Sequence, residues 1–339
     1  MATPLEVADQ LEPELRSAFL AMVDLIEQSV GEEVLIRLLE TGNIPGIISE
    51  FERAIAGSLT TKVTGDLTSV YTQAVKRTMS SVLRVEASLA LVSQLVLDRI
   101  VPASSKLFLN VALDSVLSIR TLLEDNYLEG QGVQAAAIQI RGSIGLLPQH
   151  STAVRNYGKA LVKEGIPQRE ITGLVRTYQR RLLAYRAENI ARTETLAAAE
   201  AGRYAGWLEL AKRGTLDTRR TRVKWVVTED DRLCPWCAPM DGKLVELGAM
   251  FKSSQKGFPE GKPENVGPGS KKRRRVLRPD PRSQPRNERG QFSRIRKRDD
   301  RDYLDGRLVD LKRTVYRQHP PLHPQCRCDL VLVFSDDFT

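Results

Sequence analysis

Two cysteine-bearing segments, far apart in the chain, constrain it more than anything else: Cys234-Pro-Trp-Cys237 and His323-Pro-Gln-Cys326-Arg-Cys328. All four cysteines lie in these segments, none before residue 234. A C-x2-C turn aims two sulfurs at one point, and a structural zinc takes four Cys/His ligands in a tetrahedron. The candidates are Cys234, Cys237, His323, Cys326 and Cys328, one more than a tetrahedron holds. If Arg327 sits in a strand, Cys326 and Cys328 project to the same face. If the chain turns at Pro324, His323 and Cys326 are the better pair. Cys234, Cys237 and Cys328 are the most firmly placed members, and spacing alone does not choose between His323 and Cys326.

Structural Zn2+ is the reading that fits this pattern best, and it has competitors. Unliganded thiols in a small β core would need no metal. A redox C-x-x-C calls for a βαβ surround that is missing here. A deaminase-like catalytic zinc needs an H-x-E partner, and the chain has none. His150, in a loop by this reading, is expected to be exposed rather than a ligand. A metal clamp has a clear physical purpose: the C-terminal β piece is too small to hold itself together by burial alone. Closing a long excursion costs only logarithmically more with length, so one metal can staple it.

The rest of the chain predicts an α+β fold, mostly α. Leu11, Leu15, Phe19, Met22, Val23 and Ile26 recur at three- and four-residue steps, one face of a helix. Breaks are expected at Gly31, Gly42–Pro45 and Gly57–Ser58. Helices are expected at about 61–99 and 104–127, then loop punctuation at Gly142, Gly145, Pro148 and Gly165–Pro167. A long helix of about 169–213 follows, closed by Gly214, with Leu174, Tyr178, Leu182, Tyr185 and Leu196 on one face and Asn189 and Arg192 in the same row. Residues 222–228 alternate well enough to be a strand, and 329–334 read as another. Residues 303–317 read as a last amphipathic helix.

Charge is uneven. Residues 252–302 hold seventeen Lys and Arg against seven Asp and Glu, a net of +10, in a chain whose net charge is +9; everything else is near neutral. This segment has six prolines, five glycines and six large apolar residues. It is expected to be a disordered basic insert, because it cannot bury enough to offset ordering entropy. The expected organisation is a helical N-terminal region (1–130), a second domain made of 133–251 and 303–335 (helical over 133–215, β and zinc-bearing over 220–251 and 303–335), and the insert (252–302). The best apolar run, 87–97, is about half of what a spanning helix needs, so no membrane association is expected. The acidic start (Glu6, Asp9, Glu12, Glu14) is unlike a signal peptide. Synthesis and assembly in a cytoplasm follow as the expectation.

Several of these motifs occur together in one order: Ile190-Ala-Arg-Thr-Glu-Thr195, an Ala-rich helix to Gly206-Trp207, Lys224-Trp225, Asp230-Asp-Arg-Leu-Cys-Pro-Trp-Cys237, Asp241-Gly-Lys243 and Pro320-Pro-Leu-His-Pro-Gln-Cys-Arg-Cys328. Over about 135–335 this resembles the phage Mu F-like minor head protein family, with an unusually long basic insert as the departure. The resemblance implies a bacteriophage minor capsid protein acting with the portal and with scaffold or major capsid protein. It implies a role in head morphogenesis and in DNA packaging or delivery. Such a protein resides in the virion, in the head interior or near the portal, and in the host cytoplasm during assembly. It also marks Arg192 and Glu194 as a family motif, expected to pair with the zinc-bearing module.

Two other functions compete with a non-enzymatic virion protein. One is a metal-dependent enzyme of the phage head, a nuclease or a protein associated with a maturation protease. No Gly-x-Ser-x-Gly elbow is present and the chain has only three histidines. The other is a zinc-bearing DNA regulator, which would carry its basic charge on a recognition helix rather than in a loop. Within the insert, Lys271, Lys272, Arg273, Arg274 and Arg275 form one basic cluster, and Arg294, Arg296, Lys297 and Arg298 a second. With almost no aromatic residues for base stacking, they suit contact with DNA phosphates without sequence preference. Region 1–130, amphipathic and without a chemical motif, is expected to dock on portal or scaffold.

Overall fold

The computed structural model describes residues 2–58, 61–84, 87–96, 111, 113–119, 122, 133–228, 237–253, 301–304, 307–310, 315–321 and 326–334. Helices come first: α1 (Pro4–Ser29), α2 (Glu32–Glu40), α3 (Ile44–Ser58), α4 (Thr61–Leu83), α5 (Leu89–Leu95), a helical stretch at 113–119 (α6), α7 (Val133–Arg141), α8 (Pro148–Lys163) and α9 (Gln168–Lys212). Short strands follow: β1 (Thr221–Val226), β2 (Leu244–Glu246), β3 (Phe251–Ser253), β4 (Arg301–Leu304), β5 (Arg307–Asp310), β6 (Val315–Arg317) and β7 (Asp329–Phe334). The α+β, mostly helical reading is what the structure shows.

α1 starts where its sequence says it should. Thr3 and Glu6 form a capping box: the Thr3 hydroxyl accepts the Glu6 N–H at 3.2 Å, and the Glu6 carboxylate accepts the Thr3 N–H at 2.8 Å. Such a pair satisfies two otherwise orphaned donors. Pro4 occupies the first turn, where a missing N–H costs nothing. The expected apolar stripe, joined by Val7, is buried along its whole length. Its partners are α4 and α9, in one continuous core that includes Val75, Met79, Ala187, Ala191, Ala198 and Ala199. The apolar face of the N-terminal region is thus covered from within, and this core runs straight across the expected boundary near 130.

Two helix readings change. The expected helix at 61–99 stops at Leu83, and α5 is separate. Arg84 takes a left-handed conformation (φ 55°), the place glycine usually fills after a helix. The Ser80 hydroxyl accepts the Ala87 N–H at 2.9 Å. On α9 the expected row holds in part: Leu182, Asn189 and Leu196 are buried, but Leu174 is 41% exposed, and Val175, Gln179 and Arg186, one residue further along than expected, are buried instead, as is Ile171. Of the expected 104–127 helix, all but 111, 113–119 and 122 lies outside the described residues.

α9 is the organising element. It is 45 residues long. At about 1.5 Å of rise per residue it spans about 68 Å. Ile171, Val175 and Leu182 pack with α8 residues, Ala187 to Ala199 enter the main core, and Tyr204 and Trp207 enter the β module's core. Where α9 crosses α4, a Cβ on Gly202 would press on Thr78 Oγ1 and lie 2.7 Å from the Val75 carbonyl oxygen. Only glycine permits that approach.

The β module is a three-stranded antiparallel sheet, β2-β1-β7, beside the β3-β6 pair. β1 and β7 align Thr221 with Phe334 and Val226 with Asp329. The inner face carries Val223, Trp225 and Leu330, all buried. The expected helix at 303–317 is corrected: β4 and β5 pair antiparallel, Leu304 opposite Arg307, and Val315–Arg317 is β6. Between β4 and β5 the sequence has Asp305-Gly306 alone. That is the strongest short hairpin signal a sequence carries, and it outweighs a weak helical period. The insert from 254 to 300, both basic clusters included, lies outside the described residues.

Candidate metal centre

Cys237 sits at the start of a 3-10 turn, Ala238–Met240, in the segment that follows β1. Met240 N–H donates to the Cys237 carbonyl at 2.8 Å. The Asp241-Gly-Lys243 motif fixes this turn to β1. Asp241 Oδ1 accepts the Val227 N–H at 3.1 Å, Gly242 N–H donates to Trp225 O at 2.9 Å, and Trp225 N–H donates to Lys243 O at 2.9 Å. Gly242 holds φ 71°, a left-handed value that suits glycine.

Cys326 and Cys328 arrive from the other side, immediately before β7. They are buried while Arg327 between them is not, continuing β7's alternation, and Thr228 Oγ1 donates to Arg327 O at 2.8 Å. Both thiols therefore face the same way, as expected if Arg327 is extended. The sulfurs of Cys237, Cys326 and Cys328 all lie within 4.8 Å of one another, and those of Cys237 and Cys326 are 3.7 Å apart. A tetrahedron with zinc–sulfur bonds of about 2.3 Å has sulfurs about 3.8 Å apart. The three are thiols rather than half-cystines, and all are buried. Cys234 and His323 lie outside the described residues.

The electrostatics suit a cation. Hydrogen bonding with Cys237 favours the Cys328 thiolate, but Cys326 and burial outweigh it and push the Cys328 thiol above its ordinary range. Three buried sulfurs this close cannot all ionise alone; a divalent ion bound there would favour their thiolates. Around them stand Trp225, Phe251 and Met240, all fully buried, with the Trp225 and Phe251 rings edge to face at 5.1 Å. The indole N–H of Trp225 is buried there without a hydrogen-bond partner among the described residues. Geometry, donor chemistry and this orphaned donor all fit a thiolate-bound metal.

The helix reaches this module through a residue that the sequence reading did not single out. Arg203 Nη2 donates to both Glu200 carboxylate oxygens, at 2.9 and 2.7 Å, and also to Asp329, the residue after Cys328. Its guanidinium lies 5.1 Å from the Trp207 ring centre, within the range of a cation–π contact. Burial pushes the Glu200 carboxyl up to about 8; the Arg203 charge opposes this and Asp329 adds to it. The available signal was a Glu-x-x-Arg pair inside an otherwise Ala- and Gly-rich helix, where two charges must be paired if buried.

Arg192 does not play that part. It points away from the β module to α1, 3.7 Å from Asp9 and 4.0 Å from Glu12. The expected pairing of Arg192 with the zinc-bearing module is thus corrected; Arg203 lies about three turns further along α9. Glu194, on the same stretch of α9, is half-buried. His150 also differs from expectation. It lies in the first turn of α8, and burial, then the nearby Arg186 charge, push its ring down to about 3. Arg186 itself is buried, donating to Gly145 O at 2.8 Å and Asp114 at 2.7 Å. Among the described residues no helix is long and apolar enough to cross a membrane.

A long helix running into a β module closed by a buried thiol cluster defines a helical protein with a knuckle-like C-terminal piece. The family described as Phage Mu protein F like protein matches residues 118–265, and over this stretch the chain is similar to it. The match takes in α9, β1 and the Cys234-Pro-Trp-Cys237 motif; Cys326 and Cys328 lie beyond its end. No curated protein and no solved structure matches the chain.

Proposed function

We propose that this protein is a non-enzymatic head morphogenesis protein of a bacteriophage. It is a minor virion component that works with the portal and with scaffold or major capsid protein during assembly, and in DNA packaging or delivery. The Mu F-like match across α9 and the first cysteine turn carries this reading. The test is to disrupt the reading frame in the phage or prophage that bears it. The expected result is loss of DNA-filled heads with tails still made, restored by the gene in trans, and the protein detected in purified wild-type virions by mass spectrometry. Normal yields of infectious particles from the disrupted phage would overturn it.

The cofactor in this reading is one structural Zn2+ on Cys237, Cys326 and Cys328, with Cys234 or His323 completing the tetrahedron. The three sulfurs are buried. Burial supports a closed structural site, since catalytic zinc keeps an open position. Bound there, the ion supplies cross-linking between β1's turn and β7. The chain's own residues orient the thiols and exclude water. Virion location, and contact of the two basic clusters with DNA phosphates, belong to the same proposal.

A further inference from the structure

Trp225 is fully buried, at 0% exposure, yet its indole N–H has no hydrogen-bond partner among the described residues. Buried donors are nearly always satisfied, so one left over in a well-packed core marks a missing acceptor. The strand register says where that acceptor is. Trp225 stands opposite Leu330, and Val226 opposite Asp329. Cys328, two residues before Leu330, is therefore the diagonal neighbour of Trp225 on the same face of the sheet. An aromatic side chain spans that separation. The edge-to-face packing with Phe251 fixes the plane of the indole.

A thiol is a weak acceptor, and a thiolate is a strong one. We propose that the Trp225 indole N–H is the donor that supports the Cys328 thiolate in the metal-bound protein, making Trp225 a positioning residue of the centre. This rests on the metal reading above. It explains why the donor is unpaired among thiols: its partner is the charged sulfur, which metal binding creates. Groups that hydrogen-bond to metal ligands typically change metal affinity by about 10- to 100-fold.

The experiment uses the full chain with Co2+ as the probe. Trp225 is replaced, by suppression of a stop codon at 225, with benzothienylalanine, which keeps the ring shape and puts sulfur where the N–H was. Affinity is measured by competition with a chelator while the sulfur-to-cobalt charge-transfer band is followed. The expected result is binding about tenfold weaker, a displaced band, and an unchanged melting temperature without metal. A second readout needs no variant beyond assignment: in wild-type protein with 15N-tryptophan, the Trp225 indole proton should become protected from exchange when Zn2+ is added. If wild-type protein gives no charge-transfer band, the metal reading fails and this proposal falls with it. If the band is present, but the variant matches wild type or the indole proton is indifferent to Zn2+, only the Trp225 assignment is overturned.

Discussion

The helical body and the β module meet on one helix but are held together by different physics. In the body, α1, α4 and α9 share a core that holds, among the described residues, thirty buried hydrophobic side chains, running from Val7 to Ala199. It needs no cross-link, because burying that much apolar surface offsets the chain entropy. Among the described residues the module's core has eleven buried members, three of them cysteines. Its strands are three to six residues long, and the segment joining β3 to β4 is longer than any of them. What burial cannot supply there, a shared metal can. The contrast teaches that one chain can carry two kinds of stability side by side, and that each should fail under its own insult.

The largest effect is expected from removing the body. Deleting residues 1–131 strips α1 and α4 from α9 and bares Ala187, Ala191, Ala198 and Ala199. The shortened chain should aggregate on expression; a soluble, monomeric product with full helicity would show that the body and α9 are separable. Next comes Cys237→Ser. Structural zinc sites are worth on the order of 10 kcal/mol in small domains. The substitution should therefore abolish metal in elemental analysis and shift tryptophan emission to the red, with far-UV helicity largely kept. Collapse of helicity as well would mean the two regions unfold as one.

Gly202→Ala should act on the other side of the comparison. The added methyl meets Thr78 Oγ1 and the Val75 carbonyl, at a cost of about 1–3 kcal/mol. The helical melt should move down with metal content unchanged, and an unchanged melting temperature would mean that α4 and α9 can ease apart freely. A smaller effect lies at the seam. Glu200 has a folded pKa of about 8, above its ordinary 4.5. The folded state therefore holds the extra proton, and this stability is fully present below about 4.5 and lost as pH rises through about 8. Glu200→Gln should flatten that decline in urea titrations across this window; an identical pH profile would place the decline elsewhere. The smallest effect on folding is expected from deleting residues 254–300. Melting temperature and metal content should hold. Binding to duplex DNA, which in the full chain should weaken steeply between about 50 and 200 mM salt, should disappear. DNA binding as tight as that of the full chain would remove the insert from that role.

Much of this was legible in the sequence, for identifiable reasons. The α1 stripe and its capping box are local patterns with one strong solution. β1 alternates cleanly and β7 is a short apolar run of strand-forming residues, and the cysteine spacing announced a shared point in space that Cys237, Cys326 and Cys328 reach. What escaped was decided by tertiary contacts. Nothing local ends α4 at Leu83, because an arginine rather than a glycine takes the left-handed turn. The buried row of α9 was misplaced in part because that helix is covered by different partners along its length, so no single stripe describes it. His150 looked exposed because its burial comes from distant chain, including the region around Arg186. Arg203 was hidden because its partner Asp329 is 126 residues away.

The length of α9 also has a mechanical meaning. A helix anchored near its start by α8, along its middle by α1 and α4, and at its far end through Arg203 and Trp207 is a beam with three supports. Force applied to the β module travels along the axis as compression or tension on stacked backbone hydrogen bonds, instead of being lost in a loop. Helices yield by gentle curvature, with radii of about 60–100 Å, so a beam about 68 Å long keeps its two ends at a nearly constant spacing. Whatever grips either end is held in register with the other.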